Sequence, residues 1–446
     1  MRLLDKIRKN DFWVSVTKLT AGQLIGQFIT LIATIFLSRI YESSDYGTYG
    51  IIISTSTIIM SIISLALGSA VMVAKTDLDS KRVFTVTYTF QIVFLLFIAA
   101  SMLALAPIKR FFETSISYSL SVLLMVIYIA VNTLYTMMRV YINRLKLNNV
   151  LFLNSLITAM CTVLISIPLG LLGFGFVGLL LASICSSLFS VIHMLRTSSP
   201  FIKSLHWTDV KQTFLDCKEF ILFQYPSNIM ASFATQIPNL TLFATFGSSA
   251  LGTYTMCNKV FQMPMNLIVS PIQTIYFRTA AQMSDKKAEL ADFSFGLVKK
   301  FMLIAILPMM IIMVFGEAIF SFVLGSQWAE SGKIAAYICP YFFFYFCNNC
   351  LTYSKVAIGA QKYNLLHTIL YFVGIAGTLI FMQSIMIGSF QMIILFSSVG
   401  MFFHILDLFL TFVCMHKNAG KFVACSLVFN LICYAGMFGF RYLLGY

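Results

Sequence analysis

Apolar runs long enough to cross a bilayer recur along nearly the whole sequence, separated by short polar breaks. A helix needs about 20 predominantly apolar residues to traverse the hydrocarbon core. Spans are therefore predicted near 13–40, 47–74, 83–107, 118–141, 150–173, 176–195, 220–246, 250–276, 297–324, 334–356, 365–387, 390–415 and 422–444. The last could instead lie along the interface. The expected architecture is an all-α polytopic membrane protein, with 12 core transmembrane helices in two pseudo-symmetric six-helix lobes and an extra C-terminal helix. Residues 1–195 would form the N-terminal lobe, 196–219 a polar linker, 220–415 the C-terminal lobe and 416–446 the extra helix.

Several spans carry polar residues at helical spacing. Polar side chains are costly in hydrocarbon, so they should face a cavity or another helix. In the eighth span Thr255, Asn258, Lys259, Gln262, Asn266, Ser270 and Gln273 fall on one arc of roughly 120°. Val260, Phe261, Pro264 and Ile268 lie opposite. Lys259 is about 13 Å along its span at the helical rise, too deep for easy snorkelling. The second span repeats the spacing with Ser54, Thr57, Ser61, Ser64 and Gly68. There, close helix packing through small residues explains the pattern equally well. The twelfth span places Ser397, Gly400, His404, Asp407 and Thr411 on one face, and the sixth has Ser183, Ser186, Ser190 and His193 in a similar position. His404 and Asp407, one turn apart, could relay a proton, hold a cation, or form a satisfied structural pair. Lys18 sits a turn or two inside the first span, where snorkelling accounts for it.

The two halves look related. Gly47-Thr48-Tyr49 opens the second span and Gly252-Thr253-Tyr254 the eighth. Asn132, Arg139 and Lys146 match Asn348, Lys355 and Lys362 across the fourth and tenth spans. A repeat of helical bundles is a common transporter plan. Pro226, Pro238, Pro264, Pro271 and Pro308 lie within spans of the second half and should bend it.

Composition sharpens the class. The 446 residues are 59% hydrophobic and 10% charged, far below the roughly one quarter charged of soluble domains. The net charge of +14 sorts by topology. With a cytoplasmic N-terminus most Lys and Arg fall on the inner side, leaving only Arg39, Lys109, Arg110, Lys333 and Arg441 outside. That asymmetry removes the reason to invoke nucleic acid. The basic segment before Trp13 leads into an apolar run too long for a signal peptide, so a retained start is expected. The ten Cys imply no disulfide framework, and Cys347-x-x-Cys350 lacks the second pair that structural zinc needs. No phosphate-binding G-x-x-x-x-G-K-[ST] loop occurs, so neither direct ATP drive nor any cofactor is expected.

Four features together resemble the lipid-linked oligosaccharide flippases of bacterial polysaccharide synthesis, the O-antigen and capsule (Wzx-type) branch of the MATE-like exporter superfamily. They are Leu37-Ser38-Arg39 leading to Asp45-Tyr46-Gly47; Leu251-Gly252-Thr253-Tyr254 with Asn258-Lys259 and Met263-Pro264; Leu324-Gly325 with Trp328-Ala329; and Gly359-Ala360-Gln361-Lys362. Glu42-Ser43-Ser44 stand where that family has a Pro before Asp-Tyr-Gly. The resemblance implies two six-helix lobes around a central cavity that opens alternately to each side. It implies no enzymatic activity, a bacterial inner-membrane location, and an undecaprenyl-diphosphate-linked glycan as substrate, its tail left among membrane lipids. Polymerase and glycosyltransferases of the same pathway would be partners. Lys259, with Asn258, Gln262, Asn266, Lys18 and Arg39, would bind substrate, and Asp407 and His404 are candidates for ion coupling. A drug or cation antiporter of the same superfamily would prefer acidic cavity groups. A polymerase or ligase would need a large outer loop, which the sequence lacks.

Overall fold

In hydrocarbon every backbone N–H and C=O must be satisfied within its own segment, which leaves the helix as the default for apolar runs of this length. A computed structural model of the protein describes residues 22, 24–104, 118–202, 206–218, 220–283, 285–360, 362–383 and 387–444. Its helices, in chain order, begin with α1 (Leu24–Ile40), α2 (Ser43–Ile63), α3 (Leu67–Val73), α4 (Asp77–Ala104) and α5 (Tyr118–Arg144). Next come α6 (Asn148–Leu171), α7 (Phe176–Thr197), α8 (Trp207–Asp216) and α9 (Tyr225–Gln282). The chain closes with α10 (Lys287–Leu324), α11 (Ala329–Leu351), α12 (Ser354–Ala357), α13 (Lys362–Gln383), α14 (Ser389–Cys414) and α15 (Ala419–Leu444). Among the described residues ten helices are long and apolar enough to cross a membrane. The ten do not include α9, which leaves helical geometry at Gly247 (φ 81°, ψ −172°) and is thereby two helices, as its two expected spans require. The protein is a multi-pass, all-α membrane protein.

The chain divides into two compact units, Met1–Gln236 and Ile237–Tyr446. The division falls inside α9, and the polar linker belongs with the first unit.

In the first unit the Asp-Tyr-Gly motif is a corner. Asp45 accepts the backbone N–H of Glu42 at 3.1 Å, closing the start of α2, and its other oxygen accepts the N–H of Phe176 at 3.0 Å at the start of α7. One carboxylate thus satisfies donors at two helix N-termini, where negative charge is favoured. Tyr41 reaches between α6 and α7 to donate to the Ser166 carbonyl at 2.6 Å. A Cβ on Gly178 would meet that hydroxyl at 2.6 Å, so the glycine makes room for the ring. The second span is interrupted: Leu65 and Ala66 take left-handed φ of 47° and 56° between α2 and α3. Arg144, ending α5, donates to the carbonyls of Met72 and Thr76 at 2.9 and 3.2 Å, capping the exposed end of α3.

In the second unit α10 and α11 approach through glycine. A Cβ on Gly316 would lie 2.6 Å from the Gly332 carbonyl oxygen, a distance no side chain tolerates. Small residues let helices approach where lipid gives no hydrophobic driving force. Between these helices Gly325 takes φ 116° and Trp328 is fully buried, so Leu-Gly-x-x-Trp-Ala is a turn that needs its glycine. A hydroxyl knot joins three elements: Tyr276 of α9 bonds Ser294 of α10 at 2.7 Å and Ser354 of α12 at 2.6 Å. The flanks of the spans are apolar, as with Leu303, Ile304 and Leu307 on α10.

Candidate functional site

The polar face expected on the eighth span lies on the second half of α9. Asn258, Lys259 and Gln262 are half-buried there, and Asn266 is exposed. The helix is seated by Phe261, whose ring stacks on Phe342 of α11 at 4.3 Å, and by a bond from Ser331 to the Thr253 carbonyl at 2.9 Å. Gln273, the last member of the stripe, donates to the Asn349 carbonyl at 2.8 Å and so joins α9 to α11. The stripe therefore changes character along its length, from Asn, Lys and Gln near one end to a helix–helix bond at the other.

The face on α14 is buried throughout. Gly400 abuts Tyr341, and Thr411 bonds back to the Asp407 carbonyl. Lys355 Nζ of α12 donates directly to Asp407 Oδ1, and both side chains are almost wholly removed from the surface. His367 of α13 brings its Nδ1 to 3.5 Å from the same oxygen and its Nε2 to 3.1 Å from the Phe403 carbonyl. His404 is differently placed. Its Nδ1 faces the Asn348 side-chain amide at 3.2 Å, so it accepts and Nε2 carries the proton. The rings of Tyr341, Tyr345 and Tyr371 surround it at 5.6, 5.2 and 5.8 Å, and no hydrogen-bond partner reaches Nε2 among the described residues. The pair expected from one turn of helix is thus split: Asp407 is held by a lysine, and His404 sits among tyrosines.

The matching stripe of the first unit carries no such charge. Ser183 meets Tyr49 at 2.9 Å, Ser190 meets Thr158 at 2.7 Å and His193 meets Asn154 at 3.1 Å, all of them helix–helix contacts. The repeat shows in one detail: Asn132 accepts from Ser187 on α7 at 3.0 Å, as Asn348 contacts His404 on α14. At the next matched position the halves diverge, since Arg139 is exposed beside the Tyr135 ring and Lys355 is buried. The hydroxyls of Thr57, Ser61 and Ser64 return to carbonyls of their own segment, which fits packing. Arg39 is exposed near the end of α1. Lys18 lies outside the described residues.

A cleft of about 230 Å³ lies in the first unit, lined by Lys75, Asp79, Arg82, Asp216, Cys217 and others. Arg82 is bonded to both Asp79 and Asp216, so the cleft is charge-balanced. Cys217 beneath it is buried, and burial first, then the neighbouring Asp216, push its thiol pKa up, with Arg82 opposing.

Residues 36–333 match the family model described as polysaccharide biosynthesis protein. The chain belongs to this family. No curated protein matches it. Among solved structures this family member is similar to an inward-facing multidrug resistance MATE transporter of the MOP superfamily, at 15% identity and a TM-score of 0.64, covering 91% of this chain and 99% of that one. It is also similar to the lipid II flippase MurJ in an inward closed conformation, at 13% identity and TM-score 0.68, covering 96% and 99%. A MOP-superfamily transporter from Pyrococcus furiosus matches at 14% identity and TM-score 0.54, covering 91% and 96%. The protein is thus a member of the polysaccharide biosynthesis family whose fold is similar to that of these MATE and MurJ structures.

Within this family member, Lys355 and His367 are the residues that sequence reasoning missed. Lys355 was visible only as the counterpart of Arg139 in the internal repeat, and its partner lies 52 residues away. His367 stands alone on an otherwise apolar run, where periodicity has nothing to register it against.

Proposed function

We propose that the protein flips undecaprenyl-diphosphate-linked oligosaccharide repeat units from the cytoplasmic to the outer leaflet, by alternating access, for O-antigen or capsule synthesis. It does so in the bacterial inner membrane with its N-terminus in the cytoplasm. Polymerase and glycosyltransferases of the pathway are its partners, and it carries out no covalent chemistry on the glycan. The observation that carries this reading is the polar, cationic face of α9 in a chain of the polysaccharide biosynthesis family. Lys259 supplies a positive charge suited to a diphosphate or acidic sugar, while Asn258, Gln262 and Asn266 supply neutral donors and acceptors suited to sugar hydroxyls. Arg39 and Lys18 are further candidates for binding the substrate. A cation or drug antiporter would call on carboxylates within the spans; the candidates are Asp407, which is paired with Lys355, and Glu317, which is exposed about two turns from the end of α10. Asp407 and His404 are the candidates for ion coupling, Asp407 becoming available when its bond to Lys355 opens.

The test is Lys259→Ala in a strain whose surface glycan depends on this gene. Export is expected to be lost with protein abundance unchanged, and Lys259→Arg should retain part of it. Full export by a well-expressed Lys259→Ala protein would remove the argument.

A further inference from the structure

The polar linker before α9 contains a helix that packs like none of the spans. Along α8, Val210, Thr213, Phe214 and the following Cys217 turn toward the first unit, with Thr213 and Cys217 fully covered. Thr208, Gln212 and Asp216 form a polar flank. Between these two surfaces lies a third, composed of Trp207, Lys211, Leu215 and Lys218, all exposed; Trp207 is 80% exposed. An exposed face that alternates Trp and Leu with Lys is poorly suited to water alone. It is the composition of helices that lie in the plane of a membrane interface.

The position of α8 agrees. Asp216 holds Arg82 at 2.9 Å near the start of α4, and Phe214 packs edge-on against Phe90 at 5.8 Å. Phe90 lies eight residues beyond Arg82, or about 12 Å along the helix. The preceding strand of chain is pinned to the same stretch: the Ile202 N–H donates to Thr85 at 3.1 Å, and Phe201 packs on Phe84 at 5.4 Å. α4 is itself one of the membrane-crossing helices. Phe90 stacks on Phe94 at 4.7 Å, and Phe94, Val93 and Phe97 form its exposed, lipid-facing flank. Phe214 thus continues the apolar flank of a span, and the contacts of α8 run along the first half of α4, from Arg82 near its polar start to Phe90 at its middle, so the helix lies against the headgroup-side half of that span.

We propose that α8 is an in-plane anchor whose Trp207–Leu215 face is seated in the bilayer interface, with Lys211 and Lys218 bound to acidic lipid headgroups. Trp is the side chain most at home at that boundary, its ring among acyl carbons and its N–H among headgroups. Two ammonium groups beside it add attraction for acidic lipid, roughly fivefold per lysine at most. Because α8 is clamped to α4 through Arg82 and leads into α9, the anchor holds the start of α9 at a fixed depth in the membrane.

The experiment uses the full chain in lipid nanodiscs. Brominated lipid quenches Trp emission on contact, and the difference between the wild-type protein and Trp207→Phe isolates the signal of Trp207. We expect Trp207 emission to be quenched by brominated lipid and protected from aqueous iodide. At equal mole fraction, brominated phosphatidylglycerol should quench it more than brominated phosphatidylcholine, and Lys211→Glu with Lys218→Glu should abolish that difference. Quenching by iodide with no effect of brominated lipid would overturn the proposal and fit a face kept for a soluble partner. Equal quenching by the two lipids in the wild-type protein would overturn the assignment of acidic headgroups.

Discussion

The Lys355–Asp407 pair offers a direct measure of how charge is held inside the second unit. Both side chains are nearly inaccessible, and Asp407 has His367 at 3.5 Å as its other polar neighbour. Lys355→Met would leave a carboxylate in a low-dielectric site without its counter-ion. Removing one partner of a buried pair typically costs about 3–5 kcal/mol, whereas replacing both by apolar groups of similar volume is often neutral. The expected outcome is therefore strongly non-additive. Lys355→Met and Asp407→Leu should each lower the melting temperature of the detergent-solubilised protein, and the double variant should recover most of the loss. A coupling energy of at least about 2 kcal/mol in the double-mutant cycle is expected. Additivity within about 0.5 kcal/mol would refute the reasoning, because it would mean that the two charges are separately solvated. Glycan export measured on the same variants separates structure from transport. A stable double variant that no longer exports would place the pair in the coupling step.

Three further outcomes follow from contacts described above. Asp45→Ala removes the acceptor for the Glu42 and Phe176 N–H groups; by analogy with lost helix caps it should cost about 1–2 kcal/mol, read as a lower melting temperature, with Asp45→Asn retaining part of the stability. Gly316→Val places a branched side chain where a Cβ already meets the Gly332 carbonyl at 2.6 Å, so folded protein on size-exclusion chromatography should fall sharply, while Gly377→Ala, whose site is open, should leave it unchanged. Cys217 is covered and its pKa is raised, so maleimide at neutral pH should label it far more slowly than a cysteine introduced as Lys218→Cys. Equal rates at the two positions would contradict the described burial.

Much of this fold is legible in the sequence because the bilayer leaves so few choices. An apolar run of about 20 residues has to be a helix, and the 58 residues of α9, far more than one crossing needs, have to break, as they do at Gly247. The stripe of Ser397, Gly400, His404, Asp407 and Thr411 is visible for the same reason: periodicity reports that one face is polar, and that face is indeed buried. Periodicity does not report what lies opposite. The hydroxyls of Thr57, Ser61 and Ser64 share the spacing of the α9 stripe but are satisfied by their own segment, and no pattern of letters separates the two cases. Lys355 escaped because it sits on a four-residue helix in a turn, where charge is ordinarily solvated; only the three-dimensional path of α12 carries it under α14. The interruption at Leu65 and Ala66 was equally invisible, since neither residue favours a left-handed conformation.

The ion pair under α14 also has an electrical meaning. A charge moved through the whole membrane potential gains or loses about 2.3 kcal/mol per 100 mV. An ammonium bound to a carboxylate forms a neutral dipole, so when Lys355 and Asp407 move together no current flows. Any voltage dependence of transport then comes from elsewhere: from Lys259 if α9 moves, from the cargo, from a mobile ion, or from an event that parts the two side chains.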